Sequence, residues 1–160
     1  MIDIREIPLT GICPNPKNPR RSFDEKKLAE LADSIRQKGV IEPIIVRLAK
    51  GKKATYEIVA GERRFRAAAA AGLAVIPAIV RELTDDEAYD FMIIENLQRD
   101  DLTDREEAES FKSYAERRGL GGGAGKVMVA ESIVELAEKT GISPAYIRGR
   151  VRVLELPANV

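Results

Sequence analysis

The sequence predicts an α+β fold followed by a purely helical tail, on three observations. Short apolar runs rich in Ile and Val, set off by Gly or Pro, read as strands. Between them lie segments with apolar residues at helical spacing, opened by Ser or Thr with Glu three residues on. A glycine tract at 120–125 then separates this mixed part from a stretch with helical periodicity alone. The expected domains are residues 1–118, a connector at 119–126 and a partial all-helical domain at 127–160.

Taken in order, Ile2, Ile4, Ile7 and Leu9 suggest a short first strand. The stretch from Pro14 to Arg21 holds too many prolines for helix or central strand and reads as a stiff, exposed loop. Ser22 with Glu25 forms a capping box for a helix whose face is Leu28, Leu31, Ala32 and Ile35, stopped by Gly39. Ile44–Val46 is a buried strand entered through Pro43, and Lys50–Lys53 a hairpin loop leading to the strand before Gly61. A helix from Glu62 ends near Gly72, and Val75–Val80 reads as a further strand. Two more capping boxes, Thr84 with Glu87 and Thr103 with Glu106, open helices running to about Leu97 and Arg118. Glu131–Lys139 is a helix, Thr140-Gly141-Ile142 a turn, and Ser143-Pro144 the cap and first turn of a helix reaching about Glu155.

Composition narrows the function. Lys and Arg number 26 and Asp and Glu 26, so any nucleic-acid affinity must come from a local basic patch. An apolar fraction of 44% is that of a globular domain. With no histidine and the single Cys13, zinc sites, histidine-based triads and internal disulfides are excluded. Neither a signal peptide nor an apolar run of the roughly 20 residues that spans a bilayer is visible. A cytoplasmic protein is expected.

The chemistry concentrates at Tyr56–Ala67, a strand entering a glycine turn and then an alanine-rich helix. Gly61 admits close backbone approach, and Arg63, Arg64 and Arg66 follow at a helix start, where unpaired N–H groups favour an anion. Guanidinium forks match phosphate oxygens, while Glu62 can hold a metal or polarise a water. A solvated arginine face accounts for the same spacing. Glu95 and Asn96, near the end of the helix from Thr84, supply oxygens of the kind magnesium accepts beside phosphates. Asn18 and Arg20, on the proline loop, offer a third wall. The glycine tract with Lys126 suggests a phosphate-binding loop. That reading fails, because Leu120 replaces a required glycine, Val127 a required Ser or Thr, and no strand leads in. The last two helices have tight helix-turn-helix spacing, with Ile147, Val151 and Leu154 inward and Arg148, Arg150 and Arg152 outward. Such a helix fits a DNA major groove, or is one half of an ordinary helix pair.

Three segments in order, Asn15-Pro16-x-x-Pro19-Arg20, Gly61-Glu62-Arg63-Arg64-x-Arg66-Ala67 and Glu95-Asn96-x-Gln98-Arg99, resemble the nucleotide-binding motifs of the ParB partition family. The following segment is similar to that family's helix-turn-helix. The resemblance runs from about Ile4 to Pro157. It implies a ParB/sulfiredoxin-like amino-terminal domain binding CTP with magnesium, and an incomplete helix-turn-helix domain reading a parS-type site on double-stranded DNA. It further implies a sliding clamp closed by self-association of amino-terminal domains on CTP and reopened by slow hydrolysis to CDP, with a ParA-type ATPase as partner. By the same resemblance, Arg20, Gly61, Glu62, Arg63, Arg64, Ala67, Glu95, Asn96 and Arg99 hold nucleotide, and Glu95 and Asn96 also serve the metal. Glu62 and Asn18 serve hydrolysis, and Ser143, Tyr146, Arg148, Arg150 and Arg152 meet DNA. The helices from Thr84 and Thr103 are the expected moving pieces.

The chain departs from the family pattern at Asn18 and Glu42, where glutamine is usual, and in the glycine tract. The family's remaining DNA-binding helices and dimerisation domain have no counterpart before Val160, so the chain reads as an amino-terminal part. Rival readings are a sulfiredoxin-like enzyme, a same-fold kinase of small molecules, and a helix-turn-helix transcriptional regulator with a vestigial nucleotide site. The first conflicts with Glu62 at the position of the catalytic cysteine, Cys13 being far off in sequence.

Overall fold

The computed structural model describes residues 3–16, 18, 23–49, 55–99, 102–117 and 130–155. The chain divides into two compact units, Met1–Met92 and Ile93–Val160.

The first unit alternates strands and helices: β1 (Ile4–Pro8), β2 (Ile12–Cys13), α1 (Glu25–Lys38), β3 (Ile44–Leu48), β4 (Tyr56–Ala60), α2 (Glu62–Ala70) and β5 (Val75–Val80). Among the described residues the strands form one mixed sheet, in the order β1-β5-β3-β4-β2. β1 runs antiparallel to β5 and β4 antiparallel to β3, whereas β3–β5 and β2–β4 are parallel. Alternation along β3 sends Ile44 and Val46 into a core with Ile7, Ile12, Ile58, Ile76 and Ala78, which Ala68 of α2 joins. α1 and α2 meet through small side chains, Ala32 and Ala67, beside Ile35. Arg47 and Glu57 are direct cross-strand partners, opposite in parity to Val46 and Ile58, so they occupy the other face.

α3 (Asp85–Leu97) begins in the first unit and ends in the second, which continues with α4 (Asp104–Arg117), α5 (Ala130–Thr140) and α6 (Pro144–Val151). Phe111, Tyr114, Ile133, Leu136 and Ile147 are fully or almost fully buried there. A 3-10 turn, Arg152–Glu155, follows α6, so the regular helix stops short of Glu155.

Several local expectations hold in detail. Both threonine boxes close reciprocally, Thr84 Oγ1 accepting from Glu87 N–H and Glu87 Oε2 from Thr84 N–H, and likewise for Thr103 and Glu106. Gly39 and Gly141 end helices with positive φ, each N–H donating to the carbonyl four residues back. Others differ. The cap of α1 is Asp24, whose Oδ1 accepts from Lys26 and Lys27 N–H at 3.0 and 3.2 Å, and Ser22 lies outside the described residues. Aspartate caps as well as serine and sits next to the helix start. The proline loop is not uniformly exposed, since Asn15 is buried. The domain boundary is not at the glycine tract: α4 packs against α5 and α6, burying Phe111, Tyr114 and Ala115, and so belongs with the helical unit. Ile2, Lys50–Lys53 and the tract itself lie outside the described residues.

Two predictions follow from these local structures. Gly61 has φ 97°, and a Cβ there stands 2.7 Å from Cγ2 of Ile44, a fully buried residue. Gly72 has φ 81° with nothing within 4 Å. Gly61→Ala therefore costs about 1–3 kcal/mol in chemical denaturation and visibly more than Gly72→Ala; equal losses contradict the packing role. Second, hydrogen bonds from the Thr84 backbone N–H and hydroxyl hold the Glu87 carboxyl below the usual glutamate range. A depressed folded-state pKa places the cap's stabilisation above the ordinary glutamate pKa and removes it as pH falls through the lowered value. Carboxyl NMR titration of Glu87 gives a midpoint below free glutamate; one at or above it contradicts the closed box.

Candidate functional site

β4 delivers the chain to Gly61, whose φ 97°, ψ 25° turns it directly into α2. No side chain caps this helix, so its first N–H groups stay available to an anion, with the helix dipole behind them. The glycine itself is explained by Ile44 packed against its Cα.

The arginines of α2 divide by use. Arg63 is half-buried and makes no hydrogen bond or ion pair to a described residue. Arg64 Nη1 donates to the carbonyls of Glu42 and Pro43, both at 2.9 Å, and ties the turn before β3 to the helix. Arg66 donates through Nε and Nη2 to Oε1 of Glu62 at 2.9 and 2.6 Å, and its guanidinium lies 4.3 Å from the centre of the Phe23 ring. Glu62 is buried, and its other oxygen, Oε2, accepts from Asn18 Nδ2 at 2.5 Å. The structure thus joins Asn18 to Glu62 across 44 residues of sequence. Arg20 lies outside the described residues. Ala67 is corrected: it is wholly inaccessible between α1 and α2, a packing residue with no face for a nucleotide.

On the other face of the sheet, Arg47 is the centre of a network that sequence reading missed. It contacts Glu57 at 2.9 Å and Asp85 at 2.7 Å and donates to the Leu83 carbonyl at 3.3 Å. Burial pulls the Arg47 pKa down, but hydrogen bonds to Glu57 and Asp85 more than offset it and the net shift is upward. The network anchors the first turn of α3 to β3 and β4.

In the second unit, Glu95 is exposed and makes no hydrogen bond or ion pair to a described residue. Asn96 differs from its expected role. It is buried, its Oδ1 accepting from Arg99 Nη1 at 3.1 Å and its Nδ2 donating to Ser110 Oγ at 3.1 Å. Its amide nitrogen ties α3 to α4 through Ser110 while its oxygen is engaged by Arg99, and Glu95 is the neighbouring carboxylate with no such commitment among the described residues. Among the described residues no group of three or more acidic, Cys or His side chains could hold a metal. A single exposed carboxylate such as Glu95 would suit a cation that arrives with its own ligands, and does not make a protein cage.

α5, the turn at Gly141 and α6 form the expected helix-turn-helix, with Ser143 Oγ capping α6 by accepting from Tyr146 N–H at 3.2 Å. Arg148 and Arg152 are exposed and make no hydrogen bond or ion pair to a described residue. Arg150 does not share their face. It pairs with Asp104 at 2.5 Å and Glu107 at 2.7 Å and donates through Nη2 to the Tyr146 hydroxyl at 2.7 Å. Tyr146 in turn donates to Glu107 at 3.1 Å. Hydrogen bonding to Tyr146, and then to Glu107, raises the Arg150 pKa although burial opposes it. Two residues of helix rotate a side chain by about 200°, so alternate arginines cannot all face outward. The Glu62–Arg66 spacing was legible as an i,i+4 pair; the partners of Arg150 and Arg47 come from other elements and left no local signal. Among the described residues no helix is long and apolar enough to cross a membrane.

Comparison with known proteins agrees with this architecture. The chromosome-partitioning protein Spo0J of Thermus thermophilus is 43% identical over 151 residues, covering 94% of this chain and 51% of that protein. The chain thus spans about half the length of the curated relatives it matches. The truncated ParB of Caulobacter crescentus solved with its centromeric parS site superposes with TM-score 0.73 at 38% identity, over 96% of this chain and 73% of that one. The same organism's truncated ParB solved with CTP-γ-S gives TM-score 0.58 at 42% identity, over 98% and 81%. The family model for the ParB N-terminal domain matches residues 1–97. On the strength of that match and the agreement along nearly its whole length, the chain belongs to the ParB family.

Proposed function

We propose that this chain acts in DNA partition as a CTP-dependent clamp that loads at a parS-type site. The observation that carries the reading is the uncapped first turn of α2 beside the uncommitted Arg63. Such a turn, rigidly headed by Gly61, supplies fixed N–H donors for a polyphosphate, and Arg63 supplies a charged fork. The Caulobacter relative, similar over 98% of this chain, was solved with a CTP analogue, which supports CTP as the triphosphate. Magnesium, if held here, would offset the charge of the phosphates. Glu95 is the carboxylate of this chain suited to it, and Arg20, Arg64 and Arg99 are further phosphate ligands by family resemblance.

Arg64 has a double task, because its Nη1 already holds the carbonyls of Glu42 and Pro43. Hydrolysis, if it follows the family, runs through Glu62. As folded, both oxygens of Glu62 already accept hydrogen bonds, Oε2 from Asn18 and Oε1 from Arg66, and a water would be polarised through the lone pairs that remain. Arg148, Arg152 and Ser143 of the helix-turn-helix approach DNA, which the parS-bound Caulobacter relative supports. Self-association of the nucleotide domains on CTP, a ParA-type partner ATPase and residence on the nucleoid complete the reading. CTP shifts open to closed only by contacting the closed form better.

Two experiments test it. CTP with magnesium raises the melting temperature of the chain more than ATP, GTP or UTP does, and Arg63→Ala weakens CTP about 10- to 100-fold by calorimetry while leaving circular dichroism unchanged. No preference for CTP, or an unchanged affinity in the variant, removes the site. Glu62→Gln keeps the side-chain shape and retains CTP within a few-fold, yet loses phosphate release; full turnover in that variant would mean the carboxylate has only a packing role.

A further inference from the structure

We propose that Arg150 is a positioning residue of the DNA-reading helix and not a phosphate contact, held with Tyr146 by the α4 carboxylates Glu107 and Asp104. The inference rests on the reading of α6 as the DNA helix and adds to it a division of labour. Tyr146 and Arg150 are four residues apart and share one side of α6, while Arg148 and Arg152, also four apart, share another. On the first side every polar head is spent. The Tyr146 hydroxyl donates to Glu107 and accepts from Arg150, whose guanidinium also meets both carboxylates and lies 5.0 Å from the Tyr146 ring centre.

For a phosphate to take Arg150, it must displace two carboxylates already in charge-assisted contact, one of them, Glu107, only 14% exposed. Arg148 and Arg152 require no such exchange. Glu107 and Asp104 lie in the first half of α4, so the pitch of α6 is set by the helix that follows the Glu95–Arg99 segment in sequence. The sign of one charge removal separates the two roles. Glu107 is a negative charge within a Debye length of the DNA-reading helix, so Coulomb repulsion alone makes Glu107→Gln bind DNA more tightly. A positioning role makes it bind more weakly.

Affinity is measured, well below each variant's unfolding midpoint, for a duplex carrying the parS site of the Caulobacter relative and for a scrambled duplex, across a range of salt. Glu107→Gln and Arg150→Met are expected to bind parS roughly tenfold more weakly, the loss of one charge-assisted bond, with the slope of log K against log salt unchanged. Arg150→Lys, which keeps the charge but not the fork, behaves like Arg150→Met. Arg148→Ala flattens the slope by about 1. Should Glu107→Gln not fold, Asp104→Asn, at an exposed carboxylate, weakens parS binding in the same direction. The proposal is overturned if Arg150→Met flattens the slope by about 1, if Arg150→Lys retains full affinity, or if either acidic variant binds as tightly as the unaltered chain. If the unaltered chain binds neither duplex at low salt, the DNA reading itself fails and the positioning role goes with it.

Discussion

The contact between Gly61 and Ile44 is the constraint from which the first unit takes its arrangement. Ile44 is fully buried at the start of β3, and its side chain fills the space where any other residue at 61 would carry a Cβ. Because the backbone there is left-handed, β4 passes into α2 without an intervening loop. That sharp entry leaves no room for a capping side chain, so the first N–H groups of α2 are presented bare. It also fixes Glu62 as the first helical residue, where Asn18 on one side and Arg66 on the other can reach it. A packing contact in the core and the chemistry of the rim thus share one residue.

The arginines show how the same side chain serves two ends. Arg47, Arg64, Arg66 and Arg150 have their donors committed to carboxylates or carbonyls of the protein. Three of them join pieces of chain, sheet to α3, turn to α2 and α6 to α4, while Arg66 holds Glu62 within α2. Arg63, Arg148 and Arg152 have no such commitment among the described residues. A phosphate approaching the committed group must break charge-assisted bonds, whereas at the second group it displaces only water. With a formal net charge of zero, affinity for anions must come from local groups, of which these uncommitted guanidiniums and the helix termini are examples among the described residues.

α3 is the element that both units share. Its first turn is held by the Thr84 box and by Arg47, and its last turn by Asn96, whose amide bridges Arg99 and Ser110. Both ends are tied by polar contacts with specific geometry, so the helix has a preferred seat at each end.

The sequence by itself determined most elements and their ends. Val75–Val80, the two threonine boxes, the Ser143 cap and the glycine stops at 39 and 141 are written in residues within one turn of each other, because caps, turns and periodicity are local interactions. The Glu62–Arg66 spacing was visible for the same reason. The tertiary structure alone decided that Asp104 and Glu107 engage Arg150, that Asn96 spends its amide inside the helical unit, and that Ala67 is buried. It also decided that α4 packs with α5 and α6. Those outcomes depend on which side chains long-range packing brings into contact, and no spacing along the chain encodes that.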